Sequence, residues 1–143
     1  MPGISKERQR LLRRRIRDAT LAQPEIKQLV KQLLKLGGEF VVAPPTLDTN
    51  VSELIECGFV MGGAVVVKAG RVSECHDNVA GLWRVRRLGM VGIGTGYALT
   101  DDGLWRQHSW GILREGILET TVARVKYFGI CLQGGRADKF AGL

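Results

Sequence analysis

Apolar residues recur along this chain at two different spacings, and the change of spacing falls near Gly89. Over residues 5–22, Leu11, Leu12, Ile16, Ala19 and Leu21 give a weak helical stripe against a heavily basic remainder, which predicts an amphipathic helix. Ser5 can N-cap it, with Arg8 where a capping box would place Glu. Residues 24–36 predict a stronger helix. Ile26, Leu29, Val30, Leu33, Leu34 and Leu36 form its apolar face, and Pro24 and Glu25 suit its first turn. Lys31 and Lys35 suit its C-terminal end, and Gly37 stops it. Glu39 to Ala43 reads as a short strand ended by Pro44-Pro45. Asn50 and Glu53 resemble a capping box opening a short helix through Glu56, with Cys57 a buried small hydrophobe on its last turn. The valine-rich run from Phe59 to Lys68 predicts a strand. With Ser73 as N-cap, a further helix runs from there to about Arg87, and Cys75, Val79, Leu82 and Trp83 share its inner face.

Beyond Gly89 the period shortens to two. Strands are expected over 91–99, 104–113, 117–122 and 126–132. Hairpin signals stand at Thr100-Asp101-Asp102-Gly103 and at Arg114-Glu115-Gly116. Helices followed by an antiparallel meander predict an α+β fold, a helix packed on an antiparallel sheet behind a helical N-terminal arm. The expected division is a basic arm over 1–38, an α+β catalytic-like domain over 39–133, and a flexible tail over 134–143.

At 143 residues, 45% hydrophobic and 24% charged, the chain is long enough to bury a core and too apolar to be disordered. No apolar run approaches the ~20 residues of a membrane span, and the N-terminus lacks the pattern of a secretory signal. Three cysteines without a CxxC pair argue against a disulfide framework. The expected setting is therefore reducing and cytoplasmic. Net charge is +7, and the distribution matters more than the total. Residues 1–36 hold ten Lys/Arg against three acids, whereas 37–143 hold eleven of each sign. The ordinary reading of the arm is a solvated basic face. The alternative is a nucleic-acid or acidic partner held by Arg10, Arg13, Arg14, Arg15 and Arg17. The absence of interleaved aromatics counts against base stacking.

The candidate chemistry centres on Cys75. In the first turn of a helix, free amides and the helix dipole stabilise a thiolate, and the same amides can donate to an oxyanion. His108 lies on a predicted strand between Trp105 and Trp110, where it can accept the thiol proton. Glu119, on the next strand, is the candidate for holding the imidazole. Its place depends on register: a turn at Glu115-Gly116 sets it opposite Ile112, and a turn at Leu113-Arg114 sets it opposite His108. Gln107 and Asn78 are candidate oxyanion or orienting groups, with Asp101 and Thr120 as further options. His76 is expected to be an exposed neighbour. A lone Cys and His are, on composition alone, more often structural than catalytic. A metal site from Cys75, His76, His108 and Cys131 lacks ligand spacing, so no metal and no cofactor is expected. Gly92-x-Gly94-x-Gly96 lacks the dinucleotide spacing and reads as strand glycines.

Four blocks of the chain resemble a group of small bacterial proteins of unassigned activity. They are Cys75-His76-x-Asn78-Val79, Gly96 to Gly111 (with Asp102-Gly103-Leu104-Trp105-Arg106-Gln107-His108-Ser109-Trp110), Glu119-Thr120-Thr121 and Tyr127-Phe128-Gly129. The resemblance covers roughly residues 59–130 and leaves the basic arm outside. Their order is similar, more distantly, to that of papain-like cysteine peptidases and amidases. That likeness implies a papain-like minimal core, with Cys75 as nucleophile, His108 as general base and Glu119 as orienter. Many such enzymes carry Asn, Asp or His at the third position. The implied activity is thiol hydrolysis or acyl transfer at a peptide, amide or thioester bond. The alternative is a non-catalytic nucleic-acid-binding protein.

Overall fold

The computed structural model describes residues 3–46, 48–85 and 89–143. Helix α1 spans Lys6–Ala22, and the Ser5 hydroxyl accepts from the Arg8 amide as a cap at 3.2 Å. Only Leu12 of this helix is buried, with Ile16 and Ala19 packed at the margin of the core. Helix α2, Ile26–Leu36, buries Ile26, Leu29 and Leu33. Each such side chain taken fully out of water contributes about 1.5–3 kcal/mol, so α2 holds the arm to the body far more firmly than α1 does.

Strand β1 is short, Phe40–Val41, and α3 spans Val51–Cys57. The expected Asn50 cap is not made. Asp48 does the local work instead, its Oδ1 accepting from the Asn50 amide at 2.9 Å. Cys57, expected to be buried, is exposed. The single strand expected over 59–68 is two strands, β2 (Phe59–Met61) and β3 (Ala64–Val67), parted at Gly62-Gly63. Gly63 has φ 103°, and a Cβ there would lie 2.6 Å from the Glu115 carbonyl oxygen. Glycine therefore sets the bend.

The remaining strands are β4 (Gly92–Leu99), β5 (Leu104–Leu113), β6 (Gly116–Glu119) and β7 (Lys126–Leu132). The order is β2-β7-β4-β5-β6-β3, with β1 beside β5. Pairs β2·β7, β7·β4, β4·β5 and β5·β6 are antiparallel, and β3·β6 and β1·β5 are parallel. The two end strands are consecutive in the chain and joined by two glycines, so the sheet curls until its ends approach each other. The fold is thus α+β, with helices packed on a curled, partly antiparallel sheet.

The two faces of that curl are two cores. The outer face packs Ile93, Tyr97, Trp105 and Ile130 against Leu29, Leu33, Val79 and Trp83. The inner face holds Ala98, Trp110, Ile117 and Tyr127, with Met61 and Ile112 beside them. Helix α4, Cys75–Arg84, lies on the outer face. Ser73 does not cap it: Ser73 has φ 60° and Glu74 is the N-cap residue. The expected end of this helix at Arg87 lies outside the described residues. The tail expected to be flexible is a helix, α5, Gly134–Phe140. It is anchored by buried Ala137 and Ala141 and by the Trp83 indole donating to Asp138 Oδ1 at 2.9 Å. No described helix is long and apolar enough to cross a membrane.

Candidate active site at the open edge of strand β5

The site arises from where the neighbours of β5 stop. On one edge β4 pairs with it from Ile112 to Trp105. On the other, β1 covers only Leu104 and Trp105, and β6 only Gly111 to Leu113. Residues 106–110 have no strand partner on that edge among the described residues. The Thr100 amide bonds the Leu104 carbonyl, which makes the even residues of β5 those bonded to β4. The Ser109 N–H is left aimed at the open edge. The N-terminus of α4 arrives there, and Cys75 lies close enough to the His108 ring and to the Ser109 and His76 amides for all three to act on its thiol.

His108 and Glu119 meet on the inner face. Leu113 pairs with Gly116, so the turn is Arg114-Glu115, one residue from either register weighed from sequence. Glu119 stands level with Trp110, two residues along the strand from His108 and on the same face, and reaches it diagonally: His108 Nε2 and Glu119 Oε1 are 2.8 Å apart. His108 is 2% exposed and Glu119 0%. Around the carboxylate, the Tyr127 hydroxyl donates to Oε1 at 2.8 Å, and the Thr121 amide and hydroxyl both donate to Oε2 at 2.9 Å. With His108 it has four donors, which is what a buried anion requires. The His108 ring stacks on Trp110 at 5.9 Å between centroids and tilts against Tyr127 at 6.2 Å.

The electrostatics follow from this packing. Burial alone would raise Glu119, but the hydrogen bond and positive charge of His108, with the Thr121 and Tyr127 donors, hold its pKa down to about 2. It is therefore a pure acceptor at neutral pH, so Nε2 of His108 carries a proton and Nδ1 is left to face the thiol. Burial alone would lower His108, yet hydrogen bonds to Cys75 and Glu119 and their charges raise it above the ordinary histidine value. Burial opposes ionisation of Cys75, but the His108 bond and charge and the two backbone amides bring it below the ordinary thiol range. Each of the two groups thus favours the charged form of the other.

On the outer face of β5, fully buried Ser109 is pinned by two side chains. Thr95 Oγ1 lies 2.9 Å from its hydroxyl, and His76 Nδ1 bonds the same oxygen. His76 is exposed, as expected, but its ring turns inward and meets the edge of Phe140. Burial, then the nearby His108 charge, lowers its pKa.

The other sequence candidates are not brought to this point. Both ends of the Asn78 amide are taken by the Arg71 backbone, Oδ1 accepting at 3.1 Å and Nδ2 donating at 2.8 Å. Asn78 therefore closes the loop before α4 and is not free for an oxyanion. Gln107 is half-buried and, by strand alternation, on the face opposite His108. Asp101 is exposed in the hairpin turn. Thr120 is fully buried, and its hydroxyl has no partner among the described residues. Among the described residues, no three of His, Cys, Asp and Glu converge to hold a metal ion. The glycine run of β4 is structural: a Cβ on Gly94 would sit 2.1 Å from the Trp110 indole nitrogen, and one on Gly96 2.3 Å from the Phe128 carbonyl oxygen. Sequence reasoning missed Ser109, Thr95, Tyr127 and Thr121 as supporting groups. Their only signal was membership of the conspicuous blocks around His108, Glu119 and Tyr127. In comparisons with known proteins, the chain matches no family profile, no curated protein and no solved structure.

Proposed function

We propose that this chain performs thiol-dependent acyl chemistry on a papain-like core, hydrolysing or transferring the acyl group of a peptide, amide or thioester. Cys75 is the nucleophile, His108 the base and Glu119 the group that holds the ring. The observation that carries the reading is the buried His108–Glu119 pair, with the thiol beside His108 at the open edge of β5. The Cys75 thiol passes its proton to His108 Nδ1, and the sulfur attacks the carbonyl carbon. The amine or thiol leaving group departs with that proton, leaving an acyl-cysteine. Water or a second acceptor, deprotonated by the same nitrogen, then attacks the thioester and returns the thiol. The α4 amides beside Cys75 are the candidate oxyanion donors, now that the Asn78 side chain is committed elsewhere. Three free cysteines suit a reducing, cytoplasmic setting.

The test uses competition among those cysteines. Cys57 is exposed and Cys75 only half so, so access alone predicts that Cys57 labels first. At pH 6 an ordinary thiol of pKa ~8.5 is only about 0.3% thiolate. We expect iodoacetamide at that pH to label Cys75 about tenfold faster than Cys57 or Cys131, as read by peptide mass spectrometry. The advantage should vanish in His108→Gln. A small activated ester should leave its acyl mass on the Cys75 peptide in the wild type and nowhere in Cys75→Ser. Labelling led by Cys57 at pH 6, or acylation that ignores Cys75→Ser, overturns the proposal.

A further inference from the structure

The basic arm carries a second, separate feature. At 100° per residue, Lys6, Arg10, Arg13, Arg14 and Arg17 fall within about 100° of arc on α1. All five are exposed. Arg8 and Arg15 lie on another side, which removes Arg15 from the group expected from sequence. Among the described residues none of the five makes an ion pair. Their one notable contact is Arg13, whose guanidinium covers the Phe40 ring at 5.2 Å. The two acids of the helix, Glu7 and Asp18, sit together at one margin of the stripe. A row of unneutralised cations repels itself along the helix, a cost that a bound polyanion would remove.

We infer that this stripe binds the phosphate backbone of double-stranded nucleic acid without reading its sequence. From Lys6 to Arg17 the helix rises about 16 Å at 1.5 Å per residue, alongside a duplex bearing one charge per ~1.7 Å. Four of the five cations are arginines, whose planar fork suits phosphate oxygens. The stripe carries no Asn or Gln to read base edges, and Gln9 nearby is tied to the Ile4 carbonyl. A single strand would need aromatic platforms: α1 has none, and Phe40 is already covered. A membrane surface would need a continuous apolar face, but Leu12 is buried, Ile16 and Ala19 pack on the core, and the exposed Leu11 and Leu21 stand ten residues apart. The inference stands independently of the thiol site.

The experiment is anisotropy of a labelled 20-bp duplex of arbitrary sequence titrated with the full chain between 50 and 200 mM NaCl. Five phosphate contacts give a log–log salt slope of about −4.5, a loss of roughly 500-fold in affinity over that range. The triple variant Arg10→Gln/Arg14→Gln/Arg17→Gln should bring the slope to about −2. Lysine at the same three positions should restore it, and Arg8→Gln/Arg15→Gln and Cys75→Ser should leave it near −4.5. No salt-dependent binding, a slope unmoved by the triple variant, or tighter binding to a single strand or to vesicles containing phosphatidylserine overturns the inference.

Discussion

Replacing Glu119 by Gln removes one charge and almost no volume from a site with no access to water. The cost follows from its four donors. Oε1 receives His108 and Tyr127, and Oε2 receives the Thr121 amide and hydroxyl. An amide offers one accepting oxygen and one NH2. If its oxygen faces His108 and Tyr127, the NH2 meets the Thr121 N–H and leaves that donor unpaired. If it is flipped, the NH2 meets His108, drives the ring proton to Nδ1 and leaves the wrong tautomer facing the thiol. A pKa held down to about 2, against an ordinary value of ~4.3, corresponds to about 3 kcal/mol of stability at neutral pH. The sign is that of a depressed acid. The contribution is complete above the unfolded pKa of ~4.3, and it is lost as pH falls through the folded value near 2. Urea unfolding at pH 7 should therefore find Glu119→Gln less stable by about 3 kcal/mol, a midpoint shift of about 1.5 M for an m-value near ~2 kcal/mol/M. Measured again across pH 4 to 2, the gap between the two proteins should close. A loss below about 0.5 kcal/mol at pH 7, the scale of an inconsequential surface change, would refute the account of the carboxylate. So would a gap that stays constant down to pH 2.

Three further outcomes follow from the same geometry. Gly94→Ala places a methyl group 2.1 Å from the Trp110 indole, so thermal or urea unfolding should show a loss of about 3 kcal/mol or no folded protein at all. Ser109→Ala strands the buried Thr95 hydroxyl while His76 can turn to water. It should cost about 1–2 kcal/mol in urea yet leave the pH profile of Cys75 alkylation unmoved, because Ser109 meets the sulfur through its backbone. Against the effect of burial, His108 lowers the Cys75 pKa and Cys75 raises that of His108. Alkylation of Cys75 should therefore shift to higher pH in His108→Gln, and Cys75→Ser should move the His108 ring titration followed by NMR to lower pH. The stability contributed by the raised His108 is complete below ~6.5 and disappears as pH rises through its folded value.

What could be read in the chain was whatever a single element carries within itself. The two predicted strands 104–113 and 126–132 have those bounds in the structure, because alternation and a Thr100–Gly103 turn are local facts. The apolar stripe of α2 is equally local. Failures came where a residue's reason lies on another element. Gly116 reads as part of a turn, yet it begins β6, and it is glycine because a Cβ there would lie 2.0 Å from the Ala64 carbonyl oxygen of β3. That misreading is what left the register of Glu119 open. Gly62-Gly63 interrupts a valine run whose period is the same on both sides, so nothing local says that the two halves pair with opposite ends of the sheet. Gly134-Gly135 suggests a loose tail until Trp83, fifty-odd residues earlier, supplies the partner for Asp138. The candidate site shows both sides of this division. Cys75 and His108 could be picked out because a thiol at a helix start and an imidazole on a strand are chemically conspicuous wherever they stand. The four donors on Glu119, and the amide that Ser109 turns toward the sulfur, depend on how far β1 and β6 extend along β5 before they stop. The gap they leave belongs to no single strand. A change in β1 or β6 that lengthened either pairing by two residues would close the edge on Cys75 without altering Cys75, His108 or Glu119.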